Sequence, residues 1–357
     1  MWKMRTVEWD EAEKCVRMID QRLLPGEFRL VSYREYRQVA QAIQHMVVRG
    51  APAIGAAAAF GLALAALGSE ATSKNALLQE LYEAAATLRT ARPTAVNLSW
   101  GLQRVLQAAE RAEDDMEAIR AAALKEAQRI ADDDVEINQR MALFGAELIE
   151  DGDTIIHHCN TGALAAVDWG TALGAIRMAH IQGKRVHVLV DETRPRLQGA
   201  RLTAWELEQY KIPYDIITDS AAGYYLRLGQ VQKVFFGGDR MAANGDVANK
   251  IGTYMLALAA NDNRVPVYCV LPTSTIDLSL AHGGMIPIEE REPGEVLGLQ
   301  FDGQAVAPDT ARARNPAFDV TPHRLITGIV TENGLITPPY EHNLRPAVEW
   351  RAKAGGW

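Results

Sequence analysis

Residues 151–190 read DGDTIIHHCNTGALAAVDWGTALGAIRMAHIQGKRVHVLV, which predicts a strand, a helix and a second strand in succession. We expect the strands over residues 154–158 and 186–190, because both are short apolar runs bounded by turn residues. Between them a helical pattern covers residues 163–179. A strand, a crossover helix and a parallel strand form the repeating unit of a parallel sheet.

The same alternation continues toward the C-terminus. Further strands are predicted over residues 215–218, 234–236 and 267–271. The remaining segments have helical periodicity over residues 203–210, 221–228 and 248–260. Repeated crossovers produce a doubly wound sheet. We therefore predict an α/β fold in which residues 131–357 form a Rossmann-like domain around a mostly parallel sheet.

The N-terminal part of the chain has a different pattern. Residues 5–9, 15–19 and 28–32 alternate apolar with polar side chains, and Leu24-Pro25-Gly26 supplies a turn. From Tyr33 to about Ile149 the periodicity is helical. Residues 1–130 are therefore predicted to form a small antiparallel sheet followed by a helical domain.

The composition excludes some classes of partner. The chain has 357 residues, 48% of them hydrophobic, and a formal net charge of −8. Proteins that bind nucleic acid by neutralising phosphates are usually basic, so we expect no nucleic-acid partner. The longest apolar run, residues 51–67, contains Pro52 and is short for a membrane span, so we expect no membrane association.

The cysteines and histidines do not have the spacing of a metal site. Cys15, Cys159 and Cys269 are odd in number and widely spaced, which favours free thiols in a reducing compartment. His157 and His158 lie within a predicted strand and are interpreted as core or hydrogen-bonded residues, not as metal ligands. The first residues lack an apolar signal core. We expect a cytoplasmic protein without a metal.

Ligands of a doubly wound sheet bind at the carboxyl ends of its strands. The sequence contains neither a G-x-G-x-x-G dinucleotide motif nor a G-x-x-x-x-G-K-[ST] phosphate loop. We therefore expect no nucleotide cofactor, and a ligand held by other residues at the strand ends.

Two residues at predicted strand ends could exchange protons. Cys159 precedes the helix predicted from Ala163, whose dipole would stabilise a thiolate. Asp239 follows a strand through two glycines, and a carboxylate in a closed apolar cleft is suited to acid–base catalysis. Structural alternatives remain open for both, because a buried cysteine can act as a small hydrophobe and an aspartate can cap a helix.

Several other residues could hold an anion. Arg49-Gly50-Ala51-Pro52 precedes an Ala-rich helix, where proline fits the first turn and the helix start attracts phosphate. Arg92 lies in a second turn, before Pro93. Asn249-Lys250 is expected near a helix start, and Gln198 lies in a charged loop after a predicted strand. For each of them a structural or solvated role is the alternative.

The motifs jointly resemble those of the methylthioribose-1-phosphate isomerase family, within the larger group that includes the regulatory subunits of translation initiation factor two-B. Their joint order and spacing, from end to end of the chain, are highly specific. The matching stretches are VRGAPAIG (48–55), ARPTAVNL (91–98), HCNTG (158–162), DETRP (191–195), GGDR (237–240), NKIGT (249–253) and NPAFDVTP (315–322).

The resemblance implies an aldose–ketose isomerase of methionine salvage, acting on methylthioribose-1-phosphate as its small-molecule sugar phosphate substrate. It implies that Cys159 and Asp239 are the catalytic pair. It also implies a homodimer that needs neither a cofactor nor a metal. The substrate-binding residues that it implies are Arg49, Gly50, Ala51, Arg92, Gln198, Asn249 and Lys250.

Two other functions remain open on the sequence. One is an isomerase of another pentose 1-phosphate, such as ribose-1,5-bisphosphate or a deoxyribose-1-phosphate, with the same catalytic pair. The other is a non-catalytic regulatory subunit like those of the translation factor, since a shared fold does not fix a function. Such relatives are expected to lack the cysteine–aspartate pair, which is present here.

Overall fold

The computed structural model describes residues 4–93 and 95–353, with side chains up to residue 349. These residues form two compact units. The first comprises the chain up to Gln139 together with Thr161–Gly170, and the second comprises Arg140–Asn160 and the chain from Thr171 on. Across the described part of the chain, none of the helices combines the length and the apolar character needed to cross a bilayer.

A small antiparallel sheet opens the first unit, as predicted. Strand β2 lies in the middle and pairs with both neighbours, with Val16 opposite Trp9 on one side and Tyr33 on the other. Side chains of β1 and β2, including Val7, Val16 and Met18, are fully buried in the core of the unit. The strands span β1 Val7–Asp10, β2 Cys15–Ile19 and β3 Leu30–Tyr33.

In the part of the chain that the structure describes, five helices follow, in agreement with the helical periodicity there. Helix α2 is buried along most of its length. It consists mainly of alanine and glycine, which are small enough to let neighbouring elements pack closely against it. A Cβ added to Gly101 of α4 would lie 2.5 Å from the backbone oxygen of Gly55 in α2, so these two helices pack backbone against backbone. The helices span α1 Tyr36–Gln44, α2 Ala51–Leu67, α3 Lys74–Ala91, α4 Val96–Arg111 and α5 Met116–Glu147.

A doubly wound sheet organises the second unit, and the predicted fold class is confirmed. Among the described residues it has seven strands in the order β16-β15-β10-β7-β4-β5-β6, all parallel except β16. Its strands span β4 Thr154–His157, β5 His187–Asp191, β6 Tyr214–Ile217, β7 Lys233–Phe236, β10 Val267–Val270, β15 Gly328–Thr331 and β16 Gly334–Ile336.

Further strands form two smaller sheets in the second unit. One has the order β11-β8-β9-β14, and the other is the hairpin β12-β13. In the first of these, β9 pairs antiparallel with both β8 and β14. The strands span β8 Arg240–Ala242, β9 Val247–Lys250, β11 Ile276–Asp277, β12 Gln300–Phe301, β13 Gln304–Ala305 and β14 Phe318–Thr321.

Helices α6, α7, α8 and α9 lie between successive strands of the large sheet, α10 lies between β11 and β12, and α11 follows the last strand. A five-residue π-helical turn, Gly199–Thr203, leads directly into α7. The helices span α6 Ala172–Ile181, α7 Ala204–Tyr210, α8 Ala222–Arg227, α9 Thr253–Asp262, α10 Gly294–Leu297 and α11 Tyr340–Lys353.

Two of the predicted helices are wrong at their N-terminal ends. Residues 163–179 do not form one helix, because only a short 3₁₀ turn at Ala163–Ala165 precedes a loop in which Trp169 and Gly170 have φ of 66° and 80°. Positive φ ends a right-handed helix, and α6 begins after it. Residues 248–250 belong to strand β9 rather than to a helix, because they pair with β14. Helix α9 begins only after Gly252, whose φ is 103°.

Candidate active site

Cys159 and Asp239 follow the two strands at which the large sheet changes direction. The chain passes from β4 through β5 to β6, and then returns to the other side of β4 to form β7. Strands β4 and β7 are parallel neighbours, with His157 paired to Phe235, so their carboxyl ends meet. Ligands of doubly wound sheets bind at such a switch point. Both predicted proton-exchanging residues therefore belong to loops at the expected position.

The backbone of Cys159 is held in a left-handed conformation, with φ of 68°. Its amide donates to the Thr193 hydroxyl at 3.0 Å, and its carbonyl accepts from the Thr203 hydroxyl at 2.7 Å. Cys159 is buried, with only 7% of the residue exposed. The predicted placement of the thiol before an α-helix starting at Ala163 is wrong, since only a short 3₁₀ turn forms there. The dipole of the predicted helix therefore does not act on the thiol.

Asp239 lies half-buried in the turn between β7 and β8. Its amide donates to the carbonyl oxygen of Ala248 on β9 at 2.9 Å. The preceding Gly238 is tightly enclosed, since a Cβ there would lie 2.7 Å from Leu271 and 2.9 Å from Val247. The absence of a side chain at Gly238 leaves room for the side chains of Leu271 and Val247. Asp239 is the next residue in the chain.

Lys250 is a buried cation near both of these residues. It lies on β9 and not at a helix start, it is 6% exposed, and its Nζ donates to the Ala317 carbonyl at 2.8 Å. The ammonium also lies 4.4 Å from the centre of the Phe318 ring. Burial, reinforced by the charge of Arg291, lowers the pKa of Lys250 to about 8.

Negative charge on Cys159 and Asp239 acts in the opposite direction and raises the pKa of Lys250. Three of the residues implied by the resemblance therefore interact electrostatically within the second unit. Asn249, the neighbour of Lys250 on β9, is buried as well, and its side chain donates to the Thr253 hydroxyl at 3.0 Å.

Gln198 offers a buried acceptor to a ligand. The residue is 7% exposed and immediately precedes the π-helical turn Gly199–Thr203. Its Oε1 is buried and has no hydrogen-bond partner among the described residues. Leaving such an acceptor unsatisfied costs about 1–3 kcal/mol, so this oxygen is available to a hydrogen-bond donor of a bound molecule.

The first unit carries the predicted anion-binding residues at the start of α2. Helix α2 begins at Ala51, with Pro52 in its first turn as predicted and Gly50 immediately before it. Gly50 has φ of 95°, and a Cβ there would lie 2.3 Å from the carbonyl oxygen of Ala165. Arg49 is half-buried, and its Nε donates to the Gln21 side chain at 3.2 Å.

The second predicted turn of the first unit lies between α3 and α4. Arg92 directly follows the end of α3, is half-buried, and has a non-helical backbone with φ of −151° and ψ of 82°. Thr94, which belongs to the stretch ARPTAVNL, lies outside the described residues. Asn97 is buried in the first turn of α4, where its backbone packs against Gly55.

Substitution of Gly50 by alanine is expected to destabilise the protein for two reasons. The backbone of Gly50, with φ of 95° and ψ of 137°, is sparsely populated by other residues and costs an alanine about 1–3 kcal/mol, and the added Cβ collides with the backbone of Ala165. Gly152 is a matched control, because its φ of 93° is nearly the same but nothing lies within 4 Å of an added Cβ. We expect the midpoint of thermal unfolding to fall further in Gly50→Ala than in Gly152→Ala. Equal midpoints would show that the contact with Ala165 carries no steric constraint.

Sequence reasoning did not assign roles to several residues that hold the site. Thr193 and Thr203 fix the Cys159 backbone, while Ala317 and Phe318 hold the Lys250 ammonium. Thr193, Ala317 and Phe318 fall inside the quoted motifs DETRP and NPAFDVTP, so the signal was present without a role attached to it.

One group of described side chains has the composition of a metal site, namely His158, Asp191 and Asp219. The nitrogens of His158 are already engaged, with the Asp191 carboxylate at 2.8 Å and the Ile251 carbonyl at 2.9 Å. The Asp219 carboxylate accepts the amides of residues 193 and 194. These atoms form an internal hydrogen-bond network, in agreement with the interpretation of His158 as a hydrogen-bonded residue.

Comparison with known proteins gives consistent results along the chain. The profile of the initiation factor 2 subunit family matches residues 47–338. The methylthioribose-1-phosphate isomerase of Chloroflexus aurantiacus is 51% identical over 344 residues, which cover 96% of this chain and 98% of that protein.

Two crystal structures are similar over almost the whole chain. That of 5-methylthioribose 1-phosphate isomerase from Pyrococcus horikoshii OT3 has a TM-score of 0.91 and 47% identity, covering 98% of this chain and 96% of the other. That of translation initiation factor eIF-2B, subunit delta, from A. fulgidus has a TM-score of 0.87 and 42% identity, covering 97% and 100%.

Proposed function

This chain belongs to the methylthioribose-1-phosphate isomerase family, within the initiation factor 2 subunit family, and on that premise we propose that it converts methylthioribose-1-phosphate into methylthioribulose-1-phosphate. The reaction is an aldose–ketose isomerisation and a step of methionine salvage. We further propose that the enzyme works as a homodimer in the cytoplasm. The three free cysteines support a reducing compartment.

The observation that carries the proposal is that Cys159 and Asp239 follow the two strands at the switch point of the sheet and that both interact electrostatically with Lys250. The thiol and the carboxylate follow the adjacent strands β4 and β7, and both interact with the buried ammonium of Lys250. A weak acid, a carboxyl group and a cation are the groups needed to move a proton on an anchored sugar phosphate.

Substrate binding is assigned to the remaining residues of the set. We propose that the phosphate is bound by Arg49, Arg92, Lys250 and the amides of Gly50 and Ala51, because guanidinium groups and helix starts both favour phosphate. Gln198 and Asn249 are proposed to bind the sugar hydroxyls. The buried, unsatisfied Oε1 of Gln198 supports this assignment. Anchoring the phosphate would hold the ring carbon atoms in place for reaction.

Chemistry begins with opening of the sugar ring, which the phosphate on C1 hinders. Asp239, as the acid, gives a proton to the ring oxygen while the bond from that oxygen to C1 breaks. Electron density from C2–H must then reach C1, and the C2 hydroxyl must lose its proton to form the ketone. The Asp239 carboxylate can accept that proton, which restores the starting state of the enzyme.

Two routes connect C2 to C1. In a proton route Cys159 removes the hydrogen of C2 as a proton, an enol forms between C1 and C2, and C1 is then protonated. In a hydride route that hydrogen moves with its electron pair directly to C1, and Cys159 stabilises charge and excludes water. Substrate deuterated at C2 separates the two, since full retention of the label in the product disfavours an exchanging base.

The activity is tested by incubating the protein with methylthioribose-1-phosphate and following formation of the ketose by NMR. Ribose-1,5-bisphosphate and a deoxyribose-1-phosphate are assayed beside it. We expect turnover of methylthioribose-1-phosphate with the highest kcat/KM of the three. Faster turnover of another pentose phosphate would overturn the substrate assignment, and no turnover of any would favour a regulatory role.

A fall in kcat/KM above about pH 8 is expected from the titration of Lys250. Because its pKa is lowered to about 8, the ammonium is charged below that pH and neutral above it. At one pH unit above the pKa about a tenth of the enzyme keeps the charge, so we expect kcat/KM to be about tenfold lower there. Lys250→Arg retains its charge at these pH values and should abolish this decline. A decline that persists in Lys250→Arg would assign it to another group.

A further inference from the structure

The imidazole of His158 connects the loop that carries Cys159 with the turn that follows Lys250. His158 directly precedes Cys159 in the chain. Its Nδ1 lies 2.8 Å from the Asp191 carboxylate, and its Nε2 lies 2.9 Å from the carbonyl oxygen of Ile251. Since Ile251 directly follows Lys250, one side chain bridges the loop after β4 and the turn after β9.

The turn after β9 fits tightly over this ring. Gly252 has φ of 103°, and a Cβ added there would lie 2.9 Å from the Cε1 of His158. The amide of Gly252 donates to the Asp319 carboxylate at 2.8 Å, and the amide of Tyr254 donates to the other oxygen of the same group at 3.1 Å. The turn is therefore fixed from both sides, by the imidazole and by Asp319.

The hydrogen-bond pattern determines where the hydrogens of the ring lie. A carbonyl oxygen can only accept, so Nε2 donates to Ile251, and Nδ1 shares a second hydrogen with Asp191. Burial alone would lower the pKa of His158, but the hydrogen bond and the charge of Asp191 raise it above its usual value. The other oxygen of Asp191 is buried and has no hydrogen-bond partner among the described residues, so the hydrogen bonding of this carboxylate serves the ring.

Cys159 and Lys250 are each held by their own neighbours. The Cys159 backbone is fixed by the hydroxyls of Thr193 and Thr203, and the Lys250 ammonium by the Ala317 carbonyl. None of these contacts joins the two residues to each other. The His158–Ile251 hydrogen bond links their two segments, because His158 is the neighbour of Cys159 and Ile251 is the neighbour of Lys250.

We propose that His158, oriented by Asp191, is a positioning residue that sets the place of Lys250 relative to Cys159. This assignment rests on the proposed function of the site. His158 acts through the backbone and does not need to contact the substrate. A misplacement of about 1 Å in an active site can lower the rate about 10²-fold, so loss of the bridge is expected to affect turnover much more than folding.

Two substitutions separate the two hydrogen bonds of the ring. His158→Gln places an amide donor near the former position of Nε2 and can keep the bond to Ile251. His158→Asn places an amide near the former position of Nδ1 and can keep the bond to Asp191 only. The matched control is His187→Asn, since the Nε2 of His187 also pairs with a carboxylate, Asp215 at 2.9 Å, but at a more exposed position on β5 and β6.

The kinetic readout is kcat/KM for methylthioribose-1-phosphate. We expect a fall of about 10²-fold in His158→Asn, recovery of most of that loss in His158→Gln, and the wild-type value in His187→Asn. If His158→Asn retains the wild-type kcat/KM, the positioning role is refuted. A loss in His158→Gln that equals or exceeds the loss in His158→Asn would show that keeping the Ile251 bond does not restore turnover, and would overturn the role of that bond.

Alkylation of the cysteines by iodoacetamide gives a readout that does not depend on turnover. Cys15 and Cys269 are fully buried and report on unfolding, whereas Cys159 reports on its own loop. In His158→Asn we expect faster alkylation of Cys159 alone. Faster alkylation of all three would show a general structural role and overturn the proposal, as would unchanged alkylation of Cys159. A wild-type protein without turnover would refute the proposed function, while the alkylation pattern would still test the bridge.

Discussion

Asp239→Asn is expected to lower kcat by about 10²–10⁴-fold, the usual contribution of a general acid or base. The amide has nearly the shape of the carboxylic acid but cannot give a proton to the ring oxygen or take one from the C2 hydroxyl. The hydrogen bond from Asp239 to Ala248 is made by the backbone and is unaffected by the change. Steady-state kinetics with methylthioribose-1-phosphate measure the loss, and the thermal unfolding midpoint checks that the fold is retained.

Asp215→Asn provides the comparison for this variant. Asp215 lies on β6 of the same sheet, is exposed, and pairs with His187. We expect kcat of Asp215→Asn to remain at the wild-type value. A kcat for Asp239→Asn that is close to that of Asp215→Asn would refute the role of Asp239 as the acid.

Cys159→Ala is expected to lower kcat by a similar factor, about 10²–10⁴-fold, if the thiol exchanges the proton of C2. The substitution leaves the two threonine hydrogen bonds to the backbone in place, because both involve the main chain of residue 159. Alanine and cysteine share the cost of positive φ, so the fold should change little. Kinetics of the purified variant measure the loss of turnover.

Two further variants separate chemistry from packing at this position. Cys15→Ala removes a fully buried thiol from β2 and should leave kcat unchanged. Cys159→Ser keeps a small polar group but is a much weaker acid. Near-normal turnover in Cys159→Ser would rule out a proton-exchanging thiol and favour the hydride route, and near-normal turnover in Cys159→Ala would refute any role of the side chain in the reaction.

Much of the fold could be predicted from local patterns. Short apolar runs such as residues 154–158 and 234–236 correspond to β4 and β7, because strands that are buried in a parallel sheet need no polar alternation. The carboxyl-end rule then placed Cys159 and Asp239 at the same edge of the sheet. The order of the strands was not predictable in this way, since pairing depends on contacts that are distant in the chain.

The errors arose where the backbone departs from regular helix. Residues 248–260 contain enough alanine and leucine to suggest one helix, but pairing with β14 makes residues 248–250 a strand. Propensity is a weak prior that tertiary contacts override. For the same reason the partner of Lys250 could not be found from the sequence, because Ala317 is 67 residues away and binds through its backbone carbonyl.

At residue 159 the left-handed backbone favours glycine, whereas the proposed chemistry requires a thiol. Cysteine at φ of 68° carries a conformational penalty of about 1–2 kcal/mol that glycine would not. Glycine at this position would remove the penalty together with the sulfur, so the proposed role of the thiol in catalysis would oppose that substitution. A variant that no longer had to catalyse the reaction could become more stable through this one substitution.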